Sequence, residues 1–91
     1  LDNLRSNSAS ARSWLKYGVV IDEAEVIEGD VVIFWRDSKS GYLGHVGFVA
    51  GPIGATTVPV LSGNQSNAVN VTKYLKSRVL GYRRFPYNTK V

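Results

Sequence analysis

His45 is the only histidine in the chain and the residue best suited to acid–base chemistry. The chain has no cysteine, so it offers no thiolate and cannot complete most transition-metal ligand sets. We therefore expect neither a metal nor a cofactor. In an extended strand His45 and Gly47 share one face, where the glycine leaves room for a substrate or another backbone. A structural histidine that caps a hairpin is the alternative.

A catalytic imidazole needs a polar partner that fixes its tautomer and ring orientation. No acidic residue follows Asp37, so a partner from the second half of the chain must be an amide. Asn64 follows a predicted strand, and Cys-His-Asn is an attested catalytic set. Its surroundings, residues 62–67, are equally typical of a turn. No serine lies in a nucleophile-elbow pattern, so serine catalysis is not favoured.

Charge is distributed unevenly along the chain. All seven acidic residues precede position 38, whereas seven of the eleven basic residues follow it. A field of one sign attracts polyanions such as nucleic acid, anionic lipid or a bacterial wall, and a solvated basic face is the alternative. Four aromatic residues offer base stacking but are also ordinary core residues, so nucleic acid is not the expected partner: Tyr42, Phe48, Tyr74 and Tyr82.

The elements that must position these residues can be predicted from periodicity. A helix is predicted over 9–17, ended by Gly18 in a left-handed conformation. The apolar run 31–35 predicts a strand buried on both faces. Further strands are predicted over 45–50, 56–61, 68–72 and 78–83, and Pro59 places the third strand of the sheet at an edge or bulge.

These elements predict a single α+β domain over residues 1–91. It comprises an N-terminal helix within 1–20, an antiparallel sheet of about five strands within 29–84, and a loose tail over 85–91. No apolar run approaches the ~20 residues of a membrane span. The chain begins with leucine rather than methionine, so we expect Leu1 to be a processed, cut or incompletely recorded start.

Five blocks of sequence resemble, in order, the C-terminal two-thirds of the NlpC-like and CHAP-like cysteine peptidoglycan hydrolases. They contain the series ARSWLKYG, GDVVIFWR, GHVGF, GNQSNAV and KSRVLGYR, at 11–18, 29–36, 44–48, 63–69 and 76–83. The resemblance implies a papain-like fold in which a cysteine helix packs on the sheet. It also implies that His45 is the general base and Asn64 its orienting partner, with Gly47, Trp35 and Gln65 contributing to substrate binding.

The same resemblance implies a substrate and a missing partner. The substrate would be a peptidoglycan peptide, cleaved by a cysteine peptidase or amidase outside the cytoplasm, in the periplasm, the wall or a phage particle. An N-terminal segment or separate chain would supply the cysteine helix and cover an apolar face of the sheet. We expect His45 to open into a cleft with Asn64 within hydrogen-bonding reach. A non-catalytic module that binds the wall or a partner is the alternative.

Overall fold

The computed structural model describes residues 9–41, 43–63 and 69–88, which form one six-stranded antiparallel sheet. The spatial order is β1-β6-β2-β3-β4-β5, so β2 and β3 lie at the centre and β1 and β5 at the edges. The strands are β1 (Val19–Ile21), β2 (Val31–Trp35), β3 (Gly44–Val49), β4 (Thr57–Gly63), β5 (Val69–Leu75) and β6 (Val79–Arg84). Three 3-10 helices accompany them: Ala9–Lys16, Glu23–Glu25 and Lys76–Arg78.

The predicted α+β, papain-like fold class is wrong. The described residues contain six strands and only 3-10 helices, so the domain is closer to all-β than to α+β. The predicted helix near the N-terminus is the eight-residue 3-10 helix Ala9–Lys16. Such a short segment is marginal as an α-helix in water, and its serines compete for backbone hydrogen bonds. None of the helices in the described ranges is long and apolar enough to cross a membrane.

Strand β2 is buried on both faces, as its uninterrupted apolar sequence predicts. Val32 and Phe34 belong to one core cluster, which is completed by residues of β3, β4 and β6. Val31 and Ile33 belong to a second cluster on the opposite face. The first 3-10 helix and the segment after β6 pack on that second face, and the segments before β2 and after β3 pack on the first. Both faces of the central sheet are therefore covered.

The side chain of Arg12 attaches the first 3-10 helix to the β2–β3 hairpin. Its guanidinium donates hydrogen bonds to the backbone carbonyls of Ser38, Lys39 and Leu43, at 2.8, 2.9 and 2.7 Å. These contacts fix the hairpin from which β3 begins. The helix is followed by Gly18, whose φ of 77° confirms the predicted left-handed conformation.

A buried ion pair attaches the C-terminal segment to the start of β2. Asp30 is fully buried and accepts two hydrogen bonds from Arg84, both at 2.8 Å. The Asn88 side chain and the Ile27 amide also donate to this carboxylate, at 2.6 and 3.0 Å. The hydroxyl of Tyr87 donates to a nearby carbonyl as well. The prediction of a loose tail is therefore wrong for residues 85–88, and residues 89–91 lie outside the described ranges.

Two further strand predictions need correction. Pro59 does not mark an edge or a bulge, because β4 pairs regularly with β5 and also pairs with β3. The Pro59 carbonyl accepts a hydrogen bond from the Ala50 amide at 2.9 Å, just beyond the two residue pairs of the β3–β4 ladder. Strand β1 was not predicted. Its three residues pair with β6 and form the edge of the sheet opposite to β5.

Candidate functional site

His45 lies at the second position of β3, directly opposite Phe34 of β2. Its imidazole stacks on the ring of Tyr74 from β5, with centroids 4.7 Å apart and an interplanar angle of 25°. Tyr74 also stacks on Phe34 at 5.0 Å, and Phe34 lies 6.0 Å from the imidazole. Three strands thus contribute one ring each to an aromatic cluster around the histidine.

The imidazole is buried rather than open to a cleft. His45 is 7% exposed, and its Nε2 atom has almost no solvent contact. Within the described ranges Nε2 has no hydrogen-bond partner. The expectation of an open cleft at His45 is therefore wrong for this conformation, in which Tyr74 covers the ring. A buried nitrogen without a partner is uncommon, because most buried polar atoms in proteins are hydrogen bonded.

Burial lowers the pKa of His45 below its usual value of 6.5, and the positive charge of Arg36 lowers it further. Both effects disfavour the imidazolium, so the ring is neutral at pH 7. In that form one ring nitrogen donates a hydrogen bond and the other accepts one. A neutral imidazole with a free nitrogen can take up a proton from a group that is brought against it.

Tyr82 provides a second buried polar atom without a partner in the described part of the chain. The residue is 5% exposed, and its hydroxyl lies in the core cluster formed by Val32 and Phe34. Burial raises the pKa of Tyr82 to about 12, and the charge of Glu23 adds to the rise. The phenol is therefore protonated at pH 7. The KSRVLGYR series gave no sign that this hydroxyl would be enclosed.

The predicted site residues are only partly described. Asn64 and Gln65 lie outside the described residues, so their relation to the imidazole stays a prediction. Gly47 is buried and pairs with Val32, two positions along β3 from His45. The room that it leaves is therefore enclosed. Trp35 is half-buried at the end of β2, with the guanidinium carbon of Arg78 4.8 Å from its ring centroid.

Sequence reasoning missed the role of Tyr74. For Tyr74, as for Phe48, Tyr82 and Tyr42, the sequence offers either stacking on nucleic-acid bases or an ordinary core position. In the structure Tyr74 stacks on His45, Phe48 packs against Tyr87 and Tyr82 is buried, while Tyr42 lies outside the described ranges. The sequence offered no signal for this role, because the predicted strand 68–72 ends before Tyr74, whereas β5 extends to Leu75 and Tyr74 is its half-buried residue among the exposed residues 70–75.

No protein-family model matches this chain, and no curated protein matches it. The resemblance to cysteine peptidoglycan hydrolases therefore depends on the five sequence blocks alone. It remains a prediction about function.

Proposed function

We propose that this chain carries the proton-transfer histidine of a cysteine peptidase or amidase that acts on peptidoglycan peptides outside the cytoplasm. One observation carries the proposal: the sole imidazole has a buried Nε2 without a partner in the described residues. The GHVGF series supports the same assignment, since its resemblance to cell-wall hydrolases gives His45 the general-base role. A neutral imidazole is the form that accepts a proton from a thiol, and the thiolate formed beside it would stabilise the resulting imidazolium.

The nucleophile must come from outside these 91 residues, because they contain no cysteine. We propose that an additional N-terminal segment or a separate chain supplies it. The thiolate would attack the peptide carbonyl, His45 would protonate the leaving amine, and water would then hydrolyse the thioester. Asn64 is the proposed orienting partner of His45, and Gln65, Gly47 and Trp35 remain proposed substrate-binding residues.

Approach of a thiol requires the aromatic cluster to change. Tyr74 covers the imidazole from β5, which is an edge strand. Rotation of a partly exposed tyrosine is a smaller rearrangement than movement of the central strands β2 and β3. We propose that the segment that brings the cysteine displaces the Tyr74 ring and places its sulfur against Nε2.

In the described part of the chain, the large apolar side chains that are exposed do not form one broad uncovered face. The largest of them lie instead near the sheet edges and the chain ends of the described part. Val19 and Val20 of β1 are 64% and 69% exposed, and Val71 and Leu75 of β5 are 59% and 53% exposed. In this proposal the additional segment packs near the β5 edge, because Tyr74 lies on that strand.

The test is wall hydrolysis by a protein that joins this chain to a cysteine-bearing segment of the same gene or operon. The expected result is release of wall peptides, lost in both Cys→Ala and His45→Ala variants and retained in Lys73→Ala. Lys73 is an exposed β5 residue next to Tyr74 and serves as the matched control. Hydrolysis that persists in a folded His45→Ala variant would contradict the proposal.

A second candidate function is a non-catalytic module that binds the wall or a partner protein. The burial of His45 beneath Tyr74 favours it, as does the lack of cysteine. Co-sedimentation of the 91-residue chain with purified walls separates the two. The binding module predicts retention on walls that is unchanged by His45→Ala, together with no hydrolysis after a cysteine segment is added.

A further inference from the structure

Arg78 differs from the other arginines that make side-chain contacts in the structure. The guanidinium groups of Arg12, Arg83 and Arg84 each donate three hydrogen bonds to protein oxygen atoms. The guanidinium of Arg78 instead lies over an indole ring, that of Trp35, at 4.8 Å. Among the described residues it has no ion pair with a carboxylate. Within 9–41, 43–63 and 69–88 its N–H groups also donate no side-chain hydrogen bond, so they are available to a ligand as far as these residues are concerned.

The Trp35 ring gives this guanidinium a defined position at the protein surface. Arg78 is exposed, whereas Trp35 is half-buried at the end of β2. Arg78 immediately precedes Val79, which pairs with Phe34, so the backbone holds the two side chains side by side. A cation held over an aromatic face by electrostatic attraction loses less freedom when it binds a ligand. The planar edge of the guanidinium then presents parallel donors that match a carboxylate.

We propose that Arg78, supported by Trp35, is a binding site for a carboxylate of an acidic peptide. The site lies at the end of the sheet where β3 begins, because Trp35 pairs with Gly44 and the adjacent Phe34 pairs with His45. The guanidinium donates two hydrogen bonds to one carboxylate, and the Trp35 ring contacts the adjoining apolar part of the peptide. That the ligand is a peptide rests on the proposed function, whereas that it carries a carboxylate rests on the Arg78 guanidinium alone.

The charge distribution favours an anionic ligand at this position. No acidic residue follows Asp37, while Lys73, Lys76 and Arg78 lie on β5 and the helix after it. Lys76 is paired with Glu23 at 2.6 Å, which leaves Lys73 and Arg78 as exposed positive charges in this part of the chain. Strand alternation places Trp35 and His45 on opposite faces of the sheet. A peptide bound at both residues would therefore pass over the rim between them.

The experiment uses the 91-residue chain and two probes: N-acetyl-alanyl-glutamate with free carboxylates, and the same dipeptide with both carboxylates amidated. NMR of the indole N–H of Trp35 reports binding; a Trp35→Phe variant assigns the signal and distinguishes it from that of Trp14. We expect the carboxylate probe to bind at least about tenfold more tightly than the diamide, the ratio that corresponds to about 1.4 kcal/mol. This preference should fall as salt is added.

Three variants make the result specific. Arg78→Gln should remove the preference for the carboxylate probe, and Arg78→Lys should reduce it because lysine lacks the planar fork. Arg36→Gln changes the net charge equally and should preserve it. Equal binding of the two probes, or equal losses in Arg36→Gln and Arg78→Gln, would overturn the inference. A failure of His45 to support hydrolysis would leave this binding result unchanged, so the two proposals can fail separately.

Discussion

The buried carboxylate of Asp30 allows a sharp test of what holds the sheet together. Each of its oxygens accepts two hydrogen bonds: Oδ1 from Arg84 and Asn88, and Oδ2 from Arg84 and Ile27. The substitution Asp30→Asn keeps the shape of the side chain but replaces one oxygen by an NH2 group. An NH2 group in place of Oδ2 faces Arg84 and the Ile27 amide and loses both hydrogen bonds, whereas in place of Oδ1 it loses the bond from Arg84 and keeps one to Asn88 only if that amide turns over.

The size of the effect follows from the number of hydrogen bonds lost. A hydrogen bond to a charged group contributes about 1.5–3 kcal/mol to stability. The Arg84 side chain is 25% exposed and can regain some hydration, which places the estimate at the low end of that range. We expect Asp30→Asn to lower the free energy of unfolding by about 3 kcal/mol, a large fraction of the 5–15 kcal/mol typical of a whole domain.

Urea denaturation at pH 7 measures this change, and a thermal melt provides a second readout. For a domain of this size about 3 kcal/mol corresponds to a fall in Tm of roughly 12–24 °C. Asp22→Asn is the matched control, because Asp22 is exposed and its side chain makes no capping hydrogen bond. If Asp30→Asn unfolded within about 0.5 kcal/mol of the unchanged protein, the range of ordinary surface substitutions, the ion pair would not stabilise the fold as described.

Three further predictions concern pH and close packing. The pKa of Asp30 is lowered from 3.8 despite its burial, because Arg84, Ile27 and Asn88 stabilise the carboxylate. In urea denaturation, the difference in free energy of unfolding between the unchanged protein and Asp30→Asn should therefore shrink as pH falls below about 4. The pKa of His45 is lowered from 6.5, so as pH drops the histidine is protonated in the unfolded chain before it is protonated in the folded protein. The free energy of unfolding should therefore fall as pH drops below about 6.5. NMR titration of the single histidine should give a pKa below 6.5, and a pKa above 6.5 would contradict the burial of its ring. A Cβ at Gly44 would lie 2.9 Å from Arg12 Cγ and 3.0 Å from the Phe34 carbonyl oxygen, so Gly44→Ala should lower the free energy of unfolding by about 1–3 kcal/mol. Gly51→Ala is the control and should change the free energy of unfolding little, because its Cβ meets only Pro59 Cγ, at 3.8 Å.

The parts of the fold that could be predicted are those fixed by local pattern. The uninterrupted apolar run 31–35 could only be satisfied in a strand covered on both faces, and β2 is such a strand. Gly18 could be assigned a left-handed conformation because glycine adopts it without a steric penalty. These features depend on neighbouring residues and required no knowledge of tertiary contacts.

The features that could not be predicted depend on residues far apart in sequence. Asp30 and Arg84 are separated by 54 positions, so local pattern does not reveal their ion pair and predicts a loose tail after Arg84. The expected α-helix is a 3-10 helix whose Arg12 is bound to the β2–β3 hairpin, a contact that its own periodicity does not contain. The domain is closer to all-β than to α+β because its described residues form six strands and only 3-10 helices.

The candidate site was predicted to the same extent. The position of His45 near the start of a strand followed from the sequence, and the structure places it there. The covering of the imidazole by Tyr74 could not be predicted from the sequence, because Tyr74 lies 29 positions later and reaches the imidazole only through the pairing of β4 with β5. Burial of a polar ring depends on which strands become neighbours, and strand order is not contained in local periodicity.

The most direct test of the central claim measures the coupling between His45 and the proposed thiol without any substrate. The rate of iodoacetamide alkylation would be followed against pH in a protein that joins this chain to the proposed cysteine-bearing segment. An unperturbed thiol titrates near pH 8.5. A thiolate placed against Nε2 would stabilise the imidazolium that burial and Arg36 otherwise disfavour, and this ion pair would lower the thiol pKa. We predict a thiol pKa well below 8.5 that returns toward 8.5 in His45→Ala. The same thiol pKa in both proteins would contradict a role for His45 in activating the nucleophile.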